Sequence, residues 1–541
     1  MRINPKWGWL AAFTAVFAVL VGYVFWGAWS PDFAPVMPDN PTTHSPYWFT
    51  EWWRGLLVGG IFAPGDLLQL LGGPYAWQEL KYAASVYCAA LGTAYFCRGL
   101  GLSRPASYGA ALLLSFSGYW LTLYSAGHYG WFQWMTYGVF AFGLVDRAVR
   151  GDGLRHWVLL GACTAWASFY QPDMWLLFTA FTGVYFIYRS VSERRLPWKG
   201  ILISAAAFAL IAAPGVLNAF TNSLAGRKQQ IEEGQTVGAA AAAADSADKQ
   251  WIFATNWSLP PGETAELFAR RIKGDTSCPL TLSVGLQRGS GVKPYTGALG
   301  RPFGADRGGY RQHSLYAGLV TCLLAVCGVF FGGRKCLFFA VAGAVFWVFS
   351  LGRNCEAVYR LVYALPFGGY LRAPVKWLHL TEFCLAVLAG FGVDGFLNSR
   401  FSASGKVSLR RAVFCAVCSA VLIGAADLAS VAKLYCAPVD VGAARRSGSV
   451  MQMAVLQRRQ FADPQVAAMV RDGGVVSIAN YLGNPDYFLV GTLEKCKPPE
   501  PLKSGEVRPL KVTLGLLSLA GTIAAAVIGV LGAVPRKGAA A

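Results

Sequence analysis

The sequence predicts an all-α integral membrane protein with about twelve transmembrane helices, and three observations carry that prediction. Apolar residues make up 55% of the 541-residue chain and charged residues only 14%, outside the usual balance of a soluble domain. Mean hydropathy is +0.41. Apolar stretches near the length needed to cross a bilayer recur at roughly 7–26, 80–97, 106–124, 130–147, 156–172, 174–189, 200–220, 314–332, 336–352, 375–397, 410–430 and 512–534. The connecting segments then alternate strictly between two characters.

One set of connections is short and basic: Arg98/Arg104, Arg147/Arg150/Arg155, Arg189/Arg194/Arg195/Lys199, Arg334/Lys335, Arg400/Lys406/Arg410/Arg411 and Arg536/Lys537. The other set is longer, rich in Trp, Tyr, Pro and Gly, and holds most of the Asp and Glu. Cytoplasmic loops collect Lys and Arg, so the short set is expected to face the cytoplasm, together with both termini. The formal charge of +19 therefore reads mainly as an orientation signal and not as a nucleic-acid patch. A modest outer excess of positive charge would suit phosphate-bearing membrane lipids. The first span is expected to be retained. Its apolar core is too long for a signal peptide, and Trp26 and Trp29 stand where small residues would mark a cleavage site.

This topology organises the chain into a multi-span core over 1–430, an extracytoplasmic segment over 431–511, and a last helix with a cytoplasmic tail over 512–541. Within the core, 27–79 forms a first outer loop and 221–313 a large outer loop. The first loop combines Pro31, Asp32, Pro35, Pro38, Asp39 and Pro41 with the aromatic stretch Tyr47-Trp48-Phe49 and Trp52-Trp53, a composition suited to the membrane interface. The partly apolar run 55–71 is expected to re-enter or lie on the surface, because a crossing there would invert every later loop. The Ala-rich run 239–244 reads as a connector. Most of the thirteen cysteines lie in spans, as small buried apolar side chains. Cys436 and Cys496 bracket one outer segment and could pair in an oxidising compartment. There is no internal repeat of the kind many transporters show.

Candidate functional residues gather on the outer side. Asp32 and Asp39 follow the first helix, with His44 and Glu51 beyond them. A carboxylate held at a partly desolvated interface becomes a plausible general base, although acids after a membrane helix are also ordinary loop residues. The same cluster of Asp32, Asp39, His44 and Glu51 could hold a divalent cation, but its spacing matches no specific metal pattern. His128 sits in a very short outer turn and could donate to a phosphate or an acceptor hydroxyl, or simply satisfy a backbone carbonyl. Gln171-Pro172-Asp173 makes a similar turn, in which Asp173 either serves a site or caps the next helix. In Leu365-Pro366-Phe367-Gly368-Gly369-Tyr370-Leu371-Arg372-Ala373-Pro374-Val375-Lys376-Trp377, a rigid turn delivers Arg372 and Lys376 to the head of the tenth span. That cationic pair could clamp a lipid phosphate, Arg in bidentate fashion and Lys as a point charge, or could act as a snorkelling anchor.

Several runs, in order, resemble one family. They are Tyr95-Phe96-Cys97-Arg98-Gly99-Leu100-Gly101-Leu102-Ser103-Arg104, Phe116-Ser117-Gly118-Tyr119, Ala126-Gly127-His128 and Asn256-Trp257-Ser258-Leu259-Pro260-Pro261. Ser350-Leu351-Gly352-Arg353-Asn354, Tyr359, Leu365-Pro366, Leu371-Arg372-Ala373-Pro374 and Leu388-Ala389-Gly390-Phe391-Gly392-Val393-Asp394 follow. Together, over roughly 1–400, they resemble the YfhO-like bacterial membrane proteins, themselves similar to multi-span glycosyltransferases of the GT-C type. Pro172-Asp173 follows Gln171 where the family pattern would place a preceding His-Pro, and the poly-Ala insert and 431–511 also depart from it. The resemblance implies a GT-C-like fold with outer loops over a lipid-facing groove, a polyprenyl-phosphate-linked sugar donor, and a catalytic Asp in the first outer loop. By position that residue would be Asp32 or Asp39.

The expected function is thus an inverting glycosyl transfer to a cell-envelope glycan or lipid acceptor on the outer face. Asp32 or Asp39 would act as base, while Arg372 with Lys376 or His128 would bind the leaving phosphate, and Gln171, Asp173 and Glu51 would line the substrate site. No nucleotide fingerprint is needed, and the Gly-rich stretches lack the setting of one. Two rivals remain. A lipid or solute transporter would place charges deep in the helices, where Glu382 and Asp427 are the chief candidates. A non-catalytic scaffold of an envelope assembly could keep every residue named.

Overall fold

Long apolar runs can satisfy their own amides only as helices when water is excluded, and helix is what the chain forms. The computed structural model describes residues 5–24, 53–54, 56–57, 64, 74–120, 123, 129–151, 153–168, 172–218, 228, 246–269, 272–274, 296–299, 314–366, 368–398 and 507–533. Among them there is no strand. The α-helices are α1 (Pro5–Val24), α2 (Pro74–Gly99), α3 (Arg104–Ser115), α4 (Tyr129–Arg150), α5 (Leu154–Ala167), α6 (Pro172–Ser192) and α7 (Trp198–Asn218). They continue with α8 (Ser246–Thr255), α9 (Leu319–Phe331), α10 (Arg334–Ser350), α11 (Glu356–Tyr363), α12 (Leu378–Asn398) and α13 (Pro509–Ala533). Short 3₁₀ turns cover Pro261–Leu267, Gly352–Cys355, Gly368–Tyr370 and Pro374–Trp377.

Helices occupy eleven of the twelve predicted spans, and the span at 410–430 lies outside the described residues. Among the described residues four helices are long and apolar enough to cross a membrane: Asp173–Ser192, Trp198–Leu217, Pro374–Leu397 and Pro509–Leu531. A fifth arises if α10 and the helical segment after it, bent by 112°, count as one broken span. Part of the shortfall has a local cause. Spans 106–124, 156–172 and 314–332 contain helices of only 12, 14 and 13 residues. In the first, α3 stops at Ser115 and the Gly118 amide turns away to the Tyr316 carbonyl at 2.8 Å. In the third, 314–318 runs without helix, because Gly318 has φ +109° and the amides of Ala317 and Gly318 both donate to the Leu267 carbonyl.

The chain divides into two compact units. The first takes 1–40, 100–128 and 225–455. Its hub is α12, which packs on α9, α10 and α3. Small residues permit that closeness: a Cβ at Gly328 would meet the Leu388 carbonyl oxygen, and one at Gly392 would meet that of Leu324. Reciprocal glycines of this kind let two backbones touch where no hydrophobic effect separates helix from lipid. The burial pattern agrees, since 67% of the Pro374–Leu397 window is buried.

The second unit takes 41–99, 129–224 and 456–541. There α4 packs against α2, α5 and α6, while α7 and α13 close over α5. Gly143 admits the Tyr95 ring, Gly161 abuts the Ser204 carbonyl, and Trp166 Nε1 donates to Thr522 Oγ1 at 3.0 Å. Only 22% of the Trp198–Leu217 window and 28% of the Pro509–Leu531 window are buried. Exposed Leu202, Val530 and Leu531 leave an apolar outer surface suited to lipid. The chain is accordingly membrane-embedded in character.

Inside this unit Asp146, 1% exposed, gathers three cations and a phenol. Arg189 Nε lies 2.9 Å from Oδ1, Arg150 pairs with Oδ2 and also donates to the Gly99 carbonyl at 3.0 Å, and the Tyr185 hydroxyl lies 3.4 Å from Oδ1. Arg147 sits over the Tyr95 ring, 4.1 Å from its centroid. Some of the charge that reads as orientation signal is therefore also structural glue. Removing one member of a buried ionic group leaves the rest uncompensated, at a cost of about 3 kcal/mol. Asp146→Asn is expected to destabilise the protein by that amount in thermal unfolding of the detergent-solubilised chain. Glu356→Gln, which breaks the exposed pair with Arg360, is expected to change stability by less than about 1 kcal/mol.

Candidate functional site

The site lies at the head of α12, where four separate stretches of the first unit meet. Each is a place where a helix ends early, so each brings main-chain groups that need partners. Gly118 is bonded to Tyr316 as described. The Leu259 amide donates to the Ser350 carbonyl at 2.9 Å, and Asn354 Nδ2 returns a bond to the Leu259 carbonyl at 2.8 Å. Ser258 Oγ donates to the Thr255 carbonyl at 2.6 Å and accepts from the Arg353 amide at 3.0 Å. The Val375 amide donates to the Trp257 carbonyl at 3.2 Å. The stretches 256–261, 350–354 and 371–375 thus form one hydrogen-bonded platform, and 116–119 joins it through the Tyr119 hydroxyl, which lies 3.5 Å from the Val375 carbonyl oxygen.

Three of its residues carry left-handed backbone: Trp257 at φ +61°, Gly352 at φ +51° and Ala373 at φ +63°. Gly352 is required there, since a Cβ would run into Ser258 Oγ and the Pro374 ring. Trp257 and Ala373 have no such excuse, and strain of this type persists only where the surroundings impose it. A buried apolar layer including Tyr119, Leu259, Leu315, Leu351 and Leu378 supplies that constraint beneath the platform.

Below it the 3₁₀ turn Pro374–Trp377 and the first turns of α12 hold ionisable side chains buried. Lys376 is 3% exposed, His379 fully buried and Glu382 1% exposed, three residues apart and so on one face. Ser117 Oγ donates to Glu382 Oε2 at 3.2 Å, while Oε1 has no hydrogen-bond partner among the described residues. The Tyr119 ring stacks on the His379 imidazole with centroids 3.8 Å apart and planes at 15°, and the Trp120 ring lies 5.1 Å from it. Arg372 and Arg353, both half-buried, stand at the platform itself, with the Arg372 guanidinium 5.9 Å from the centroid of Phe253. Such a set offers cations for an anionic group, a buried carboxylate and stacking faces.

Of the residues predicted from sequence, Asp32, Asp39, Glu51, His128 and Gln171 lie outside the described residues, as do His44, Asp427, Cys436 and Cys496. Arg372 is at the platform, whereas Lys376 is turned inward by the left-handed Ala373 and does not share its exposure. Asp173 belongs to the second unit, at the start of α6, where it is 4% exposed and accepts from the Met174 amide at 3.0 Å. Ser117, Arg353 and His379 were not singled out by residue type alone. Glu382 is already marked by sequence as a charge deep in a helix, and the signal that reaches His379 is its three-residue spacing from Lys376 and Glu382. Among the described residues no three His, Cys, Asp or Glu side chains gather as a metal ion would require. Compared with protein-family models and with curated proteins, the chain matches none.

The strained positions make the platform's stability testable. Ala373→Gly relieves an unfavourable φ and is expected to raise stability by about 1 kcal/mol. Gly352→Val adds both strain and overlap and is expected to cost about 3 kcal/mol. Thermal melting of the full-length protein in detergent reads both changes.

Proposed function

We propose that the chain is an inverting glycosyltransferase of the GT-C type, moving a sugar from a polyprenyl-phosphate donor to a cell-envelope acceptor on the outer face of a bacterial cytoplasmic membrane. One observation carries the reading: four stretches bearing the YfhO-like resemblance, far apart in sequence, converge on a single platform with Arg372 at it. Asp32, or else Asp39, takes the proton of an acceptor hydroxyl as its oxygen attacks the anomeric carbon. The bond from that carbon to the phosphate oxygen breaks on the opposite side, and its electron pair stays with the phosphate. Arg372, with Arg353 nearby in the same bonded frame, stabilises the charge that accumulates there. Donor and acceptor carry all reacting atoms, so no nucleotide is consumed.

The test is glycosyl transfer by purified protein in lipid, supplied with polyprenyl-phosphate sugars and an envelope extract. Removing the base is expected to lower turnover 10²–10⁴-fold with donor binding kept, so one of Asp32→Asn and Asp39→Asn should show that loss. Arg372→Gln should weaken transfer and donor binding together. Transfer unaffected by both Asp changes would move the base elsewhere, and no transfer from any donor would sink the enzyme reading.

A second reading, a lipid or solute transporter, is favoured by Glu382. It is a buried carboxylate inside an apolar helix, with one oxygen lacking a hydrogen bond among the described residues. In that case Glu382→Gln abolishes uptake or flipping in proteoliposomes, and no glycosyl product forms.

A further inference from the structure

At the far end of α12 the first unit has a cavity of about 480 Å³. It is lined by the turn after α9, the turn before α3 and the last turns of α12. From Leu378 to Asp394 the helix rises by about 24 Å at 1.5 Å per residue. That distance approaches the thickness of a bilayer's hydrocarbon core. The cavity therefore belongs at the opposite membrane interface from the platform, and the function proposed above does not use it.

Its polar lining carries both signs of charge. Lys335 Nζ donates to the Leu100 carbonyl at 3.0 Å, and Asp394 Oδ1 accepts from the Ser103 amide at 2.8 Å, so both are held in place. Arg334 lines the same space and has no ion-pair or hydrogen-bond partner among the described residues. Among the described residues Asp394 makes one hydrogen bond, through Oδ1, which leaves Oδ2 for the cavity. The flanks are apolar: Phe330, two residues before the turn, is 80% exposed, and Leu337, just after it, is 59% exposed.

We propose that this cavity binds the headgroup of an aminophospholipid, a phosphoethanolamine diester whose acyl chains run along the exposed faces of α9 and α10. A phosphate suits Arg334 and Lys335. A purely anionic headgroup would leave Asp394 facing like charge, whereas a primary ammonium on a two-carbon tether meets that carboxylate with N–H donors. A quaternary ammonium fills the same space but has no N–H to donate. The exposed apolar flanks favour a lipid over a free phosphate compound, since they reward acyl chains.

The test uses the full-length protein, delipidated in detergent and titrated by native mass spectrometry with dioleoyl phosphatidylethanolamine, phosphatidylglycerol and phosphatidylcholine. Wild type is expected to retain the ethanolamine lipid at least tenfold better than the other two. Arg334→Gln should weaken all three about tenfold. Asp394→Asn keeps an acceptor for the Ser103 amide, so the fold is retained. It should bring ethanolamine and glycerol lipids within twofold of each other. Soluble phosphoethanolamine should compete at least a hundredfold more weakly than the lipid. Equal retention of the three lipids, or a preference that survives both variants, overturns the proposal. So does tight binding of soluble phosphoethanolamine, which would make the ligand a free metabolite.

Discussion

A main-chain amide released from a helix in apolar surroundings must find another partner in the same chain, because neither water nor lipid supplies one. The first unit is built around that constraint. Among the described residues, amides freed where its spans stop short pair with other interrupted segments: Gly118 with Tyr316, Ala317 and Gly318 with Leu267, Leu259 with Ser350, Val375 with Trp257. None of these breaks is tolerable alone. Collected at one end of α12 they satisfy each other, and the irregular backbone that results can present side chains at fixed positions. Interrupted helices at membrane depth are confined to places buried in protein or lining a cavity for this reason.

The platform holds its shape only because α12 is clamped below it. The Gly328–Leu388 and Gly392–Leu324 approaches bring α9 and α12 into backbone contact, Gly343 rests on Cys384, and Gly390 faces Leu102 and Ala110. Each contact needs the absence of a side chain, so the clamp is specified residue by residue. The consequence reaches both ends of the helix. The strained Ala373 and Trp257 persist at one end, and Asp394 is held against the Ser103 amide at the other.

Much of the helical pattern was legible from apolar runs alone: eleven of the twelve predicted segments contain helix. Hydropathy reports burial, however, and not conformation. Residues 314–318 fall inside the same predicted span as the helix that follows, yet they run without helix because two of their amides are claimed by Leu267. The same blindness hid the site. Ser117 and Glu382 are 265 residues apart, and Ser258 and Arg353 are 95 apart, so no local spacing announces either pair. Arg372 could be read as a site residue from its rigid turn. Lys376 was read as its partner because the same turn delivers both to the head of the tenth span, but Lys376 lies in the 3₁₀ turn that follows the left-handed Ala373 and is only 3% exposed.

The charge of the chain shows a related limit. A count of +19 treats every Lys and Arg alike, but their surroundings give them different work. Arg150 and Arg189 are tied to Asp146, and Lys335 is tied to a backbone carbonyl. These cations sit in short basic connections or close beside them, so one residue both biases orientation during insertion and closes a hydrogen-bond network after folding. The two roles differ in sensitivity. Orientation tolerates replacement of Arg by Lys, because it depends on charge near the membrane surface. The Asp146 network does not, because Arg189 and Arg150 reach it through guanidinium nitrogens, and Arg150 spans both the carboxylate and the Gly99 carbonyl. Arg334 belongs to neither network among the described residues. That is why it, rather than its better-held neighbour, is the cation left to meet something from outside the chain.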